Sequence, residues 1–291
     1  MPELPEVEVT RRRIAPVLVG RELARVRTSK PSYFFLTPPN ELRRALEGRS
    51  VKALARRGKY LLAEIDGGGR LLLHLGMTGQ LFSSDVTSVR LLSATVRASL
   101  APQEQRRFEP DVHTHLQLSF ADGGPDVFFR DVRKFGKVQL LAPGEVSPRL
   151  DKLGVDALEL SGDALFEATR GRIVAIKSLL LDQSAIAGAG NIYADEALFL
   201  AGVRPMRRAR RVTREECARI AAEMKRVLLR SIETGGSSIS DYVAPDGSDG
   251  AYQDERRVYA RSGEPCHQCG ARIKRIVIGQ RSAHYCAECQ R

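Results

Sequence analysis

The chain has 291 residues, 43% of them hydrophobic, a formal net charge of +11 and a pI near 9.7. That is material for one large domain or two modest ones with real cores, and so basic a balance points to a polyanion, nucleic acid first, with a generally cationic surface as the plain alternative. No apolar run is long enough to cross a bilayer, and the opening MPELPEVEVTRRR is charged from its third residue without the apolar centre of a secretion signal, so a cytosolic chain with reduced thiols is expected.

Residues 3–15 read as a helix, with Pro5 near its start and Glu6 and Glu8 suited to its dipole. Pro2 is small enough to permit removal of Met1, which leaves a secondary amine. An α-amino group titrates near 8, against about 10.4 for lysine, so roughly a tenth of it is uncharged at neutral pH. Such an amine attacks an electrophilic sugar carbon to give an iminium, with Glu3 beside it to move a proton if burial holds its pKa up. A helix start with helpful acids explains the same residues equally well. Up to about residue 140 the chain then reads mainly as strands. Residues 71–75 form an apolar run, and 113–120 alternate with Leu116, Leu118 and Phe120 on one face. A turn at Asp122-Gly-Gly-Pro follows, then runs at 127–132 and 137–141, a pattern that predicts a β-sandwich or barrel. Residues 83–107 are a separate odd segment.

Residues 150–235 read as helices. One starts after Asn191 and stops near Gly202, with Pro205 just beyond. Another opens on Thr213-Arg-Glu-Glu216, which has the form of a capping box. It carries Ile220, Met224, Val227, Leu228 and Ser231 at helical spacing and ends at Gly235-Gly236. Cys217 within it reads as a small core residue. Residues 235–256, rich in Gly, Ser and Asp, form a long loop of the kind that is functional or disordered. The charge gathers late: residues 204–230 hold ten Arg or Lys against three Glu, and 257–291 hold seven against Glu264 and Glu288, as a footprint on phosphates requires.

The tail reads Cys266-x2-Cys269-x16-Cys286-x2-Cys289, two CxxC pairs that match a four-thiolate zinc ribbon. The residues between them make a hairpin of 272–278, a Gly279-Gln280 turn and 281–285. Four protein ligands close the site, so one structural Zn2+ per chain is expected, holding a hairpin too small to fold alone. Two disulfides are the alternative that a reducing cytosol disfavours. Arg281 sits just past the turn, where a guanidinium reaches DNA or is merely solvated.

Six segments carry a resemblance: PELPEVE at 2–8, RRGKYLL at 56–62, HLGMTG at 74–79, RDVRKFG at 130–136, DQSAIAGAGNIYADEALF at 182–199 and QRSAHYCAECQ at 280–290. In this order and spacing the chain resembles the bacterial formamidopyrimidine-DNA glycosylases over nearly its whole length. The resemblance implies an α+β protein: an N-terminal catalytic β-sandwich with a flanking helix (1–145), a helix–two-turns–helix domain with a lesion-capping loop (146–256) and a zinc-ribbon β-hairpin (257–291). It implies a base-excision-repair enzyme, a bifunctional DNA glycosylase and AP lyase that removes 8-oxoguanine and formamidopyrimidines through a Schiff base and β,δ-elimination. The partner is double-stranded DNA with an oxidised base. A bacterial, cytoplasmic, nucleoid-associated monomer away from membranes is expected.

By the same resemblance Pro2 is the nucleophile and Glu3 the acid. Lys59 is the lysine beside the lesion, a proton donor in β-elimination, and Arg281 serves δ-elimination and phosphate. Asn191, His113, Arg133 and Arg172 contact DNA. Gly188 and Gly190 admit a phosphate to a helix N-terminus, although Asn191 is also read as a plain N-cap. Met77, Arg133 and Phe135 fill the hole left when the nucleotide is turned out of the stack; singly, Met77 and Phe135 read as core. Glu196 and the 235–256 loop lie near the extruded base, with Glu6 and Tyr259 as supports. Three departures stand out: the longer 83–107 segment, Val132 and Lys134 where proline and arginine are familiar, and Gln117 where aspartate is common. The last two bear on opposite-base preference. The rival readings are an endonuclease VIII-like enzyme for oxidised pyrimidines, disfavoured by Leu4 and the Arg133/Phe135 pair, and a zinc-ribbon DNA-binding protein without catalysis, which gives Pro2 and Glu3 no task.

Overall fold

The structure, a computed structural model, describes residues 2–85, 108, 110–238 and 242–291. Residues 86–107 of the odd 83–107 segment and residues 239–241 of the 235–256 loop lie outside them. Packing divides the chain into two units, Met1–Ser147 with Thr234–Ala251, and Pro148–Glu233 with Tyr252–Arg291. Thr234–Ala251 therefore belongs with the first unit, although in sequence it follows the helices of the second. None of the described helices is long and apolar enough to cross a membrane.

The first unit opens with helix α1 (Leu4–Leu18), then strand β1 (Leu23–Thr28), α2 (Pro39–Leu46), β2 (Val51–Arg57), β3 (Tyr60–Ile65), β4 (Arg70–His74), β5 (Gly79–Ser83), β6 (Thr114–Phe120), β7 (Val127–Asp131) and β8 (Lys137–Leu141). The strands form two antiparallel four-stranded sheets, ordered β1-β6-β7-β5 and β2-β3-β4-β8. The alternation seen in 113–120 holds: Leu116, Leu118 and Phe120 all enter the core. Both sheets contribute to that core, with Leu61, Leu73 and Val138 from one and Val26, Leu81 and Phe129 from the other. Val7, Ile14 and Leu18 of α1 join it at helical spacing. Helix α1 runs three residues past its expected end because Pro16 gives up one N–H bond in the last turn only. Helix α2 was not anticipated; its eight residues carry a single buried i,i+4 pair, Leu42 and Leu46.

The second unit contains α3 (Pro148–Asp151), β9 (Val155–Asp156), α4 (Gly162–Thr169), α5 (Ile176–Leu181), β10 (Ile186–Ala187), α6 (Asn191–Leu200), α7 (Arg214–Glu233), β11 (Lys274–Ile278) and β12 (Arg281–Tyr285). The capping box of α7 forms as read: Thr213 N–H donates to Glu216 Oε2 at 2.8 Å and Glu216 N–H to Thr213 Oγ1 at 3.2 Å. Ile220, Met224, Val227, Leu228 and Ser231 make its buried face, and Cys217 is buried with them. The zinc hairpin closes on a two-residue turn, with Ile278 opposite Arg281. Gly279 and Gln280 have φ of 54° and 64°, the left-handed pair such a turn needs. A small cluster of Phe199, Val258, Ile273, Cys266 and Cys286 seats this hairpin.

The first turns of α1 are unusually polar for a buried helix. Glu8 is 6% exposed and accepts from Arg11 (2.8 Å), Arg12 (2.8 Å) and Arg56 (3.2 Å). Burial alone raises a carboxyl, but the hydrogen bonds and charge of these arginines win and hold Glu8 at about 2, below its ordinary 4.5. A depressed folded-state pKa gives stability that is full above the ordinary value and lost as pH falls toward the folded one. Glu8→Gln is therefore expected to cost about 2–3 kcal/mol at pH 7. In urea unfolding, the gap to the parent chain should narrow steadily below about pH 5; a gap constant down to pH 3 contradicts the assignment.

Candidate functional site

In the first unit the residues of interest start at the N-terminus of α1. Pro2 is buried, and Glu3, 3% exposed, is the N-cap. The expected helix start takes the form of a second capping box, in which Glu3 N–H donates to Glu6 Oε2 at 2.8 Å. The other oxygen of Glu6 accepts Ser237 N–H at 2.9 Å. One buried carboxylate thus ties the residue after Pro2 to the start of the 235–256 loop. Gly236 is required at this junction: its φ is +89°, and a Cβ there lies 3.2 Å from Glu6 Cγ and 3.1 Å from the Tyr242 ring. Burial, with Glu6 beside it, pushes the Tyr242 hydroxyl far above its ordinary range, so this ring stays neutral.

Lys59 occupies the tight turn between β2 and β3, half-buried, after Gly58 at φ 55°. The turn is not left to itself. Arg56, held by Glu8 of α1, donates from Nη1 to the Gly58 carbonyl at 2.9 Å. The same helix that follows Pro2 and its N-cap Glu3 therefore fixes the backbone next to Lys59.

Met77, Arg133 and Phe135 come from two neighbouring loops organised by Asp131, which is fully buried. Asp131 Oδ1 accepts Thr78 Oγ1–H at 2.5 Å and Arg133 N–H at 3.2 Å, and its Oδ2 accepts Gly136 N–H at 2.7 Å. Tyr33 Oη–H adds a bond to the Arg133 carbonyl at 3.0 Å. The Arg133 guanidinium lies 4.7 Å from the Phe135 ring centre. Phe135 is 43% exposed and Met77 only partly covered, so the core reading fails for both. His113 sits in the turn before β6, its N–H on Asp111 Oδ1 at 3.1 Å. Asp111 also holds Arg130 Nη2 at 2.8 Å. Asp131 and Thr78 lie inside the 130–136 and 74–79 segments, and their organising role is not visible in the sequence pattern alone. The available signal was an acid closing a mostly apolar strand run, Val127-Phe-Phe-Arg-Asp131, where a buried carboxylate needs donors.

In the second unit α6 is the organiser. Its N-cap is Gly190, so Asn191 is the first helical residue and not the cap. The preceding loop is shaped by Gln183, which accepts Gly188 N–H at 2.9 Å and donates to the Leu181 and Ala189 carbonyls at 3.0 Å each. Asn191 Nδ2 donates to Ser282 Oγ at 3.4 Å. Asp195 forms a 2.6 Å ion pair with Lys177 of α5, and both side chains are fully buried. Glu196, 0% exposed, accepts the N–H groups of Arg257, Val258 and Tyr259 at 2.8, 2.9 and 2.8 Å. Burial pushes the Glu196 carboxyl up, against the pull of those three donors. Glu196 thus acts on backbone, and the Tyr259 ring it positions packs edge-on against His284 at 5.1 Å. Arg281 is exposed at the start of β12, and Arg172 is exposed, its N–H on the Thr169 carbonyl.

The four cysteine sulfurs of the tail lie within 4.8 Å of one another, with Cys266–Cys289 at 3.9 Å and Cys269–Cys286 at 3.5 Å. Zn–S bonds of about 2.3 Å around a tetrahedral ion require S···S edges of about 3.8 Å, so the set fits one zinc. All four positions are filled by protein, which leaves the ion a structural task.

Three families match in succession: the formamidopyrimidine-DNA glycosylase N-terminal domain over residues 1–138, its H2TH domain over 153–243, and the zinc finger found in FPG and IleRS over 263–291. The chain is 39% identical over 295 residues to the formamidopyrimidine-DNA glycosylase of Stenotrophomonas maltophilia, and 41% identical over 294 residues to that of Thioalkalivibrio sulfidiphilus. Each alignment covers 100% of both chains. Among solved structures, a mutant Lactococcus lactis FPG bound to Fapy-dG-containing DNA superposes with a TM-score of 0.85 at 33% identity, covering 100% of both chains. The MutM (FPG) protein of Thermus thermophilus gives 0.82 at 36%, covering 99% of this chain and 98% of that one.

Two measurements check this geometry. A Cβ on Gly76, whose φ is +66°, falls 2.5 Å from Gly136 N and Phe135 C. Gly76→Ala should therefore displace the Phe135 loop and lower stability by about 2 kcal/mol or more in urea unfolding; a neutral result contradicts the packing. Chelation of zinc should melt the 257–291 hairpin, read by loss of protection of its amides, while the amides of β3 and β4 stay protected.

Proposed function

The chain belongs to the formamidopyrimidine-DNA glycosylase family, and from that premise we propose that Pro2 is the nucleophile of a glycosylase and AP lyase acting on oxidised purines in duplex DNA. The enzyme is a DNA-repair glycosylase with one structural zinc. The observation that carries the assignment of the nucleophile is the burial of Pro2 and Glu3 at the head of α1, beside a capping box that ties the Glu3 backbone to Glu6.

Removal of Met1 frees the Pro2 nitrogen, of which roughly a tenth is uncharged at neutral pH, a far larger share than of a lysine. That nitrogen attacks C1′ of an 8-oxoguanine or formamidopyrimidine nucleotide turned out of the stack. The glycosidic bond breaks and the base leaves. Glu3 delivers the proton to O4′ or to the leaving base; the C1′–O4′ bond breaks with O4′ taking up a proton, the ring opens, and a C1′ iminium to Pro2 results. Loss of a C2′ proton then expels the 3′ phosphate, with Lys59 donating a proton or holding phosphate. A further elimination, assisted by Arg281, expels the 5′ phosphate. Water hydrolyses the remaining C1′ imine, which frees Pro2 and the unsaturated sugar fragment, and a one-nucleotide gap remains with phosphate at both ends.

Asn191, His113 and Arg172 contact the DNA backbone. Met77 and Phe135 wedge into the vacated stack, at an unstacking cost of a few kcal/mol, while Arg133 hydrogen-bonds the orphaned cytosine. Glu6, Glu196 and Tyr259 serve the lesion pocket by fixing the backbone around it. Departures at Gln117, Val132 and Lys134 tune opposite-base preference; Gln117 here donates to Asp126 at 2.6 Å. The enzyme works as a cytoplasmic, nucleoid-associated monomer without membrane contact.

Borohydride reduction on a lesion-bearing duplex should yield a covalent protein–DNA adduct that is lost when the Pro2 nitrogen is blocked; normal trapping by blocked protein rejects the nucleophile. Glu3→Gln should keep damaged-DNA binding while base excision falls by about 10²–10³-fold. Faster release of thymine glycol than of 8-oxoguanine instead supports an oxidised-pyrimidine enzyme.

A further inference from the structure

Strands β11 and β12 form a two-stranded ribbon, so each has an outer edge whose backbone groups find no partner in the ribbon. With Ile278 opposite Arg281 across a two-residue turn, that pair exchanges both hydrogen bonds, and so do Ile276–Ala283 and Lys274–Tyr285. Ser282 and His284 therefore turn their N–H and C=O groups outward. Buried side chains from two helices meet them there. Lys177 Nζ of α5 donates to the Ser282 carbonyl at 2.5 Å, and Asp195 Oδ2 of α6 accepts His284 N–H at 2.9 Å. Lys177 and Asp195 are joined at 2.6 Å, and Asp195 Oδ2 also lies 3.2 Å from His284 Nδ1. Asn191, at the start of the same α6, reaches Ser282 Oγ at 3.4 Å.

We propose that Lys177 and Asp195 are positioning residues that act as a substitute strand along β12 and so fix Arg281, the residue before Ser282, at a set place beside Asn191. The cost of burying an ammonium and a carboxylate is high, and it is offset only where both are paired and bonded in one geometry. That requirement makes the pair selective: a slip of β12 by one residue would break its bonds to the Ser282 carbonyl and the His284 N–H and leave the two ions only each other. A purely apolar contact would seat the hairpin but would not define its register to a single residue. The proposal rests on the reading of Arg281 as the residue of the second elimination.

The test uses full-length zinc-loaded protein and a duplex carrying a preformed abasic site. Lys177→Met combined with Asp195→Leu removes both charges together and preserves bulk, so the fold survives where a single change would strand one ion. With zinc still at one per chain and Pro2 trapping within about twofold of the parent, the ratio of δ- to β-elimination product should fall about tenfold. The His284 amide should exchange at least about tenfold faster. Lys177→Arg, which keeps the charge and the donor, should retain most of both properties. Unchanged exchange at His284 in the double variant overturns the positioning role. So does an unchanged product ratio when Arg281→Ala lowers it. Should Arg281→Ala itself leave the ratio unmoved, the reading of Arg281 fails, and the exchange measurement alone decides the network. If the double variant loses zinc, the comparison passes to Lys177→Met and Lys177→Arg: equal product ratios in these two, at full zinc, also reject it.

Discussion

A buried carboxylate needs donors, and in this protein that need is met repeatedly by backbone N–H groups of functional segments. Glu6 takes the amides of Glu3 and Ser237, Asp131 those of Arg133 and Gly136, Asp195 that of His284, and Glu196 those of residues 257–259. In each case the acid sits on a helix or at the end of a strand and the amides belong to a loop or hairpin. The low-polarity surroundings make every such bond strong and its loss expensive. Loops that must meet a substrate in one conformation are thereby given the rigidity of the elements behind them.

The same logic places the two ends of the proposed chemistry. In the first unit, α1 follows Pro2 and its N-cap Glu3 and, little more than one turn on, uses Glu8 to hold Arg56, which caps the Gly58 carbonyl next to Lys59. One helix thus positions both the proposed nucleophile and Lys59. In the second unit, α6 starts at Asn191 and carries Asp195 and Glu196, which hold the hairpin and the segment leading into it. Zinc and this helix have separate tasks. The ion closes the ribbon on itself through four thiolates, and α5 and α6 seat it.

Much of this was readable in the residues. Alternation in 113–120 placed Leu116, Leu118 and Phe120 inside, the Thr213–Glu216 box marked the start of α7, and the cysteine spacing defined a metal site and its hairpin. These are local signals: a period of two, a reciprocal bond across three residues, a pair of turns. Others escaped for an equally local reason. Helix α2 is too short to show a period, and Asn191 resembled a cap because it precedes an apolar run, whereas Gly190 takes that place.

What the residues determined by themselves was the family and the four-thiolate tail; an imino acid beside a carboxylate and basic segments suited to phosphate were the candidates they offered for the chemistry. Which acids are structural was decided only by folding. Glu3 and Glu6 look alike in PELPE, as Asp195 and Glu196 do in NIYADE, yet their partners are up to 231 residues away in sequence. A side chain's environment is the sum of such long-range neighbours, and no local pattern contains it.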